Sequence, residues 1–364
     1  MKVLSVLPGT PGLRLGERPE PRLTRPDDVL LDVLQVGICG TDRDEVAGGR
    51  ADPPPGATGL VIGHEMIARV SAIGAGVTAV RPGDYAVLTV RRPCPGCPGC
   101  DAGRPDMCYT GDYTERGIKA EDGYQAESVV ERQQYVIPIP ASLSGTGVLV
   151  EPLSIGEKAI EEALLLQKAR FASIAAPEPV ALVAGLGPVG LLAALALRLR
   201  DFRVVGLDVV DAASERARLV TDLGGEYVDG RSTHPDDLRS RCGRIDIIFE
   251  ATGVPALEFD LVSALALNGI YVLTGIASGS RPVTIDGATL MRGLVLGNRL
   301  MFGSVNASRH HFQAAVTDLE QAERRWPGLV ARLITDRLPP EEASRAFPEH
   351  PDNAEIKTVI QWQK

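Results

Sequence analysis

The chain has 364 residues, 44% of them hydrophobic and 23% charged, which is enough for more than one packed core and points to two domains. A formal net charge of −9 and a pI near 5.2 leave no basic face for nucleic acid or anionic lipid. The opening "MKVLSVLPGT" reads as a first β-strand rather than a signal peptide, so a cytoplasmic location with reduced thiols is expected.

Short alternating stretches such as "VLLDVLQV", among frequent Gly and Pro, predict an all-β partial barrel up to about residue 155. Early in it stand "GICGTD", with Cys39, Thr41 and Asp42, and "GHE", with His64 and Glu65. Cys94, Cys97, Cys100 and Cys108 then place four thiolates within one proline- and glycine-rich loop. Four sulfurs close the tetrahedral shell of a zinc ion and leave no position for substrate. A loop without a core of its own takes its folding energy from such an ion. Two disulfides in an exported protein are the alternative, which the opening strand disfavours.

"GVLVEPLSIGEKAIE" follows, carrying Glu151 into a predicted helix. One Cys, one His and one carboxylate, far apart in sequence, can supply three metal ligands and leave a fourth position open, as a catalytic zinc requires. Each of these signals alone is weak, since a lone buried Cys or His is usually packing. Their company beside a four-cysteine loop makes them specific.

"PVALVAGLGPVGLLAALALRLR" reads as buried strand, glycine turn and buried helix, and its glycines and Pro188 break what would otherwise be a candidate membrane span. Gly185 permits the tight turn, Gly187 lets backbone approach a pyrophosphate, and Gly190 lets the helix close on the strand. Pro188 and Val189 open that helix, where unpaired N–H groups favour phosphate. The next strand, "RVVGLDVVD", ends at Asp208, placed to accept hydrogen bonds from a ribose; the alternative is a cap for a helix starting near Ala212. Further apolar strands end at Thr252–Gly253 and Thr274–Gly275, turns expected along a nicotinamide. Cys242 reads as structurally incidental, and His310 and His311 as surface residues of a late helix.

"GICGTD", "GHE", the four-cysteine lobe, "TVRRP", "YTERGIKAEDGY", "EPLSIGEKAIE", "GLGPVG" and "GNRLMFGSVNA" together cover essentially the whole chain. They resemble the zinc-dependent medium-chain dehydrogenase/reductase superfamily, and within it the archaeal-type glucose dehydrogenases. The resemblance implies an α/β two-domain fold: a GroES-like β-rich catalytic domain over residues 1–155, a doubly wound Rossmann domain over 156–308, and a segment over 309–364 returning to the first domain. It implies Cys39, His64 and Glu151 as ligands of a catalytic zinc, with Glu65 a nearby carboxylate able to move in as ligand. Thr41 would hydrogen-bond the substrate oxygen at the metal, and Glu115 and Asn306 would grip sugar hydroxyls, Glu151 bordering the same site. Two departures touch the substrate side: Ile155 stands where some members have Asp, and Val90 where some have Asn. Relatives that use NADP carry Asn and arginines where this chain has Asp208, Val209 and Val210, so NAD is the expected cofactor over NADP.

The expected reaction is oxidation of an aldose hemiacetal hydroxyl to a lactone, with hydride passing to nicotinamide, in the cleft between the two domains. Two zinc ions per chain and a homodimer or homotetramer belong to the same expectation. The nearest rival is a zinc polyol, cyclitol or amino-sugar dehydrogenase. A more distant one is a non-catalytic zinc- and dinucleotide-binding protein, for which an open coordination site would have no use.

Overall fold

The structure, a computed structural model, describes residues 1–171, 178–277, 282–348 and 354–363. The chain divides into two compact units. One comprises Met1–Ser154, Asn306–Glu323 and Val330–Lys364; the other comprises Ile155–Val305 and Arg324–Leu329.

The first unit is built on β-structure. Its central strand, Asp28–Gly37, buries Val29, Leu31 and Val33 while Leu30, Asp32 and Leu34 are only half-buried, a period of two that gives the strand one core face. Burial of each such side chain stabilises by roughly 1.5–3 kcal/mol. On one side this strand pairs antiparallel with Glu65–Ile73, which carries the register on through Tyr85–Leu88 to Val136–Ile139. On the other side it receives Lys357–Gln361 from the far end of the chain and then Ile334–Leu338, while Ser128–Arg132 pairs along its first half. Met66, Ala68, Tyr124 and Val129 complete the core.

A charge cluster lies inside this unit. Glu131 Oε2 accepts from Arg92 Nη2 at 2.5 Å and from Arg116 Nη2 at 2.9 Å, and Arg92 also donates to the Tyr124 hydroxyl at 3.0 Å. Burial alone would raise the Glu131 carboxyl, but the two guanidiniums overcome it and hold it below the ordinary glutamate range. Removing one partner of a buried ion pair strands the other, so Glu131→Gln should lose about 3–5 kcal/mol of unfolding free energy at pH 7. A carboxyl with a depressed folded pKa contributes fully above its unfolded value, near 4.5, and loses that contribution as pH falls through the folded value. Urea midpoints of wild type and variant should therefore differ at pH 7 and converge on acidification. Equal midpoints at pH 7 refute this account.

The second unit carries six parallel strands in the order Glu226–Asp229, Arg203–Asp208, Val180–Ala184, Ile245–Glu250, Leu265–Leu273, Leu300–Gly303. All five residues of Val180–Ala184 are buried, the continuous apolar run of a strand covered on both faces. The order reverses at Val180–Ala184, and its right-hand and left-hand neighbours leave the ligand crevice of a doubly wound sheet at that strand's carboxyl end. The apolar stretch after it is the helix Pro188–Leu199, 12 residues long. Among the described residues no helix is long and apolar enough to cross a membrane. Cys242 is buried in this unit's core.

One expectation needs correcting. His310 is exposed, but His311 is only 1% exposed, and its Nδ1 accepts the Ser308 N–H at 3.0 Å. Ser308 precedes the helix Arg309–Arg325, whose first N–H groups lack partners within the helix, and the buried ring meets that need.

Candidate active site

Cys39 caps the helix Gly40–Val46, its Sγ accepting the Thr41 N–H at 3.2 Å while Asp42 accepts the Cys39 N–H at 2.8 Å. His64 and Glu65 sit where the chain enters the strand Glu65–Ile73, which is paired to the strand leading into Cys39. That pairing brings Cys39 Sγ to 3.1 Å from His64 Nε2. Ligand atoms of Cys39, His64 and Glu65 all lie within 4.8 Å of one another. Glu151, in the first turn of the helix Val150–Phe171, is buried nearby in charge terms: His64 and Glu65 both act on it. Among the described hydrogen bonds none engages the Thr41 hydroxyl.

The electrostatics of this cluster call for a cation. Burial works against a charged His64 ring, yet the Cys39 sulfur and the Asp42 carboxylate lift its pKa well above the usual histidine value. Burial pushes Glu151 up to about 7, against the pull of His64 and with the push of Glu65. His64 Nδ1 is buried without a hydrogen-bond partner, 3.8 Å from Asp42 Oδ1. Lys357 Nζ answers one charge by donating to both oxygens of Glu65, at 2.6 and 2.8 Å. Sulfur, imidazole and carboxylate with surplus negative charge form a donor set that fits zinc.

The four cysteines of the lobe are also gathered. Sγ–Sγ distances of 3.5 Å (Cys94–Cys108), 3.7 Å (Cys94–Cys100) and 3.9 Å (Cys97–Cys108) match the roughly 3.8 Å edge of a tetrahedron with zinc–sulfur bonds of about 2.3 Å. The Thr110 hydroxyl, helped by backbone N–H groups, holds the Cys108 thiol down to about 6. These residues fit a four-sulfur ion.

In the second unit Gly185 takes φ +89°, and a Cβ on Gly190 would lie 1.8 Å from the Gly185 carbonyl oxygen, so only glycine lets the helix close on the turn. Gly187 caps the helix with no side chain, leaving the N–H groups after Pro188, Val189 among them, without a side-chain acceptor. Asp208 stands over the turn: Oδ2 accepts the Leu186 N–H and Oδ1 the Val209 N–H, both at 2.6 Å. The following helix, Glu215–Asp222, is capped by Ser214, not by Asp208. Thr252, Gly253, Thr274 and Gly275 converge on Glu250, whose carboxylate accepts the N–H groups of Thr252 and Gly253 and whose carbonyl accepts the N–H and hydroxyl of Thr274. Bare N–H groups at a helix start, close glycine packing and a strand-end carboxylate fit a dinucleotide.

A family model described as "Glucose dehydrogenase C-terminus" matches residues 144–362, and one described as "Alcohol dehydrogenase GroES-like domain" matches residues 25–141. The glucose 1-dehydrogenase of Methanocella arvoryzae is 38% identical over 99% of each chain, and that of Thermoproteus tenax is 39% identical over 100% of each. The chain belongs to the glucose dehydrogenase family.

As a member of that family it is a zinc-dependent dehydrogenase with a GroES-like domain and a Rossmann sheet. Among solved structures, Haloferax mediterranei glucose dehydrogenase in complex with NADP, Zn and gluconolactone is similar over 100% of each chain, at 32% identity and TM-score 0.89. In this family member Glu115 and Asn306, 191 positions apart, meet directly: Asn306 Nδ2 donates to Glu115 Oε1 at 2.9 Å. Both are buried. Val90, where some relatives have Asn, is 2% exposed, and Ile155 is half-buried.

Four contributors were not singled out from sequence. Asp42 orients the Cys39 turn and faces His64; its only signal was its place in "GICGTD". Lys357 was legible only as an isolated charge in the apolar strand "IKTVIQW". Glu250, at the end of "IDIIFE", and Arg91, in "TVRRP", carried no local signal that separates them from neighbouring charges.

Proposed function

We propose that this enzyme oxidises the C1 hydroxyl of an aldose such as glucose to the lactone, passing hydride to a nicotinamide dinucleotide with NAD favoured. The observation that carries this reading is the cluster of half-buried Cys39 with buried His64 and Glu65, short of positive charge, in a unit that also buries the Glu115–Asn306 pair.

Cys39, His64 and Glu151 would hold the catalytic zinc, and Cys94, Cys97, Cys100 and Cys108 a second, structural one. Zinc, when bound, supplies Lewis acidity worth several kcal/mol toward ionising a hydroxyl, and nicotinamide supplies the hydride acceptor. The chain's own groups do the rest. Thr41 offers an uncommitted hydroxyl through which the sugar's proton can leave. Lys357 donates to both oxygens of Glu65 and holds it in place beside Cys39 and His64. Glu115 and Asn306 orient the sugar through its other hydroxyls. In the second unit the helix N-terminus after Gly187 receives the pyrophosphate, and the turns at Thr252–Gly253 and Thr274–Gly275 border the nicotinamide.

The preference for NAD rests on charge. Asp208 spends one hydrogen bond per oxygen on backbone and keeps lone pairs for ribose hydroxyls, while a 2′-phosphate would face its negative charge. The nearby cation, Arg231, is already paired with Asp229 through Nε at 2.9 Å and Nη2 at 2.6 Å. Cytoplasmic residence is supported by six cysteines, all free of disulfides. Assembly as a homodimer or homotetramer is supported by Met291, Val295 and Leu296, which are 59%, 70% and 74% exposed on the helix Gly287–Leu296.

Reduced-nicotinamide absorbance with a panel of aldoses, polyols and cyclitols tests the reading. An aldose should exceed every polyol in kcat/KM by about 100-fold, the scale set by leaving a buried polar site unpaired. NAD should exceed NADP by about tenfold, and Asp208→Asn should narrow that ratio. Preference for a polyol or cyclitol overturns the substrate reading; preference for NADP overturns the reading of Asp208.

A further inference from the structure

We infer that Arg91 is the positioning residue of the sugar site, presenting one oxygen of Glu115 to substrate by clamping the other. The inference rests on the reading of Glu115 as a sugar contact and goes beyond it.

Arg91–Arg92 is a two-residue strand paired antiparallel with Thr114–Arg116, and its register sets Arg91 opposite Glu115. Arg91 is 6% exposed. Its Nε and Nη2 both reach Glu115 Oε1, at 3.0 and 2.9 Å, and Asn306 Nδ2 reaches the same atom at 2.9 Å. Three donors therefore converge on Oε1. Among the described hydrogen bonds none reaches Oε2, so the free lone pairs of the carboxylate all lie on that oxygen. Asn306 cannot rotate away freely, because its Oδ1 accepts the Ala307 N–H at 2.8 Å in a backbone held at φ +60°.

The other edge of the guanidinium fixes it to the cysteine lobe. Nη1 points at the carbonyls of Asp106 and Pro105, at 3.3 and 3.4 Å, in the turn just before Cys108. Its plane lies over the Tyr113 ring, 3.6 Å from the centroid. Only a planar fork with five donors can serve a carboxylate on one edge, two carbonyls on the other and a ring on its face. A lysine keeps the charge and loses the geometry. Substrate grip on this oxygen thus depends on Arg91, while the reacting C1 hydroxyl lies with a different set of residues.

Steady-state kinetics of the full-length, zinc-loaded enzyme test this with Arg91→Lys, Arg91→Met and Glu115→Gln, on glucose and its monodeoxy analogues. Arg91→Lys should raise the sugar KM about tenfold and Arg91→Met further, with kcat within about threefold and the KM for NAD unchanged. Discrimination between glucose and the deoxy sugar that lacks the gripped hydroxyl should shrink in step, as it does in Glu115→Gln. If Glu115→Gln moves KM and discrimination but both Arg91 variants match wild type, the inference fails and the reading of Glu115 survives. If Glu115→Gln moves neither, that reading fails and the inference with it. Should the Arg91 variants not fold, Tyr113→Leu removes only the ring beneath the guanidinium: a raised sugar KM with kcat kept supports the clamp, and an unchanged KM overturns it.

Discussion

Cys39→Ala should reduce kcat by about 1,000-fold or more while the protein stays folded and still binds dinucleotide. Two costs decide this. Losing the sulfur removes a helix cap, the contact to the Thr41 N–H, worth about 1 kcal/mol against a stability of roughly 5–15 kcal/mol. It also removes the donor 3.1 Å from His64 Nε2, and a site that no longer holds its cation forfeits several kcal/mol of transition-state stabilisation. The second effect acts on the reaction alone. Elemental analysis should find one metal equivalent fewer per chain, thermal unfolding should shift little, and quenching of protein fluorescence by NADH should persist. Full turnover in this variant refutes the assignment of Cys39, and wild-type metal content refutes its role as a ligand.

Cys97→Ser should have the opposite profile, a large loss of stability that precedes any effect on chemistry. Cys97 is fully buried, its sulfur accepts the Tyr109 N–H at 3.2 Å, and the buried cluster of this lobe consists of cysteines alone. With no aliphatic core to fall back on, the loop from Cys94 to Cys108 would take its order from the ion proposed for it, whose contribution in small sites is of order 10 kcal/mol. A drop in Tm on the order of 10 °C is expected, together with new proteolysis within the lobe and loss of one metal equivalent. Because Arg91 leans on the carbonyls of Pro105 and Asp106, the protein that remains folded should also show a raised sugar KM. Wild-type Tm and full metal content in Cys97→Ser refute the lobe's dependence on its ion.

The same contrast runs through the whole chain. Four cysteines at short spacing, a glycine turn between an apolar strand and an apolar helix, and an alternating strand at residues 28–37 were legible because their physics is local. Backbone reach, turn geometry and side-chain period act over a few residues and leave their mark on a few residues. His311 was misread for a related reason: burial of one side of the helix Arg309–Arg325 depends on what packs against it, and two adjacent histidines look alike in sequence.

By itself, then, the sequence determined the class of protein and its two kinds of domain, and it marked the four-cysteine loop, Cys39, His64 and the glycine turn as candidate sites. Only the tertiary structure decided which buried polar groups answer one another. Lys357 reaches Glu65 across 292 positions and Asn306 reaches Glu115 across 191, and no spacing rule joins residues so far apart. The reason is that a buried charge finds its partner through sheet register and packing, which are properties of the folded chain and of no segment within it.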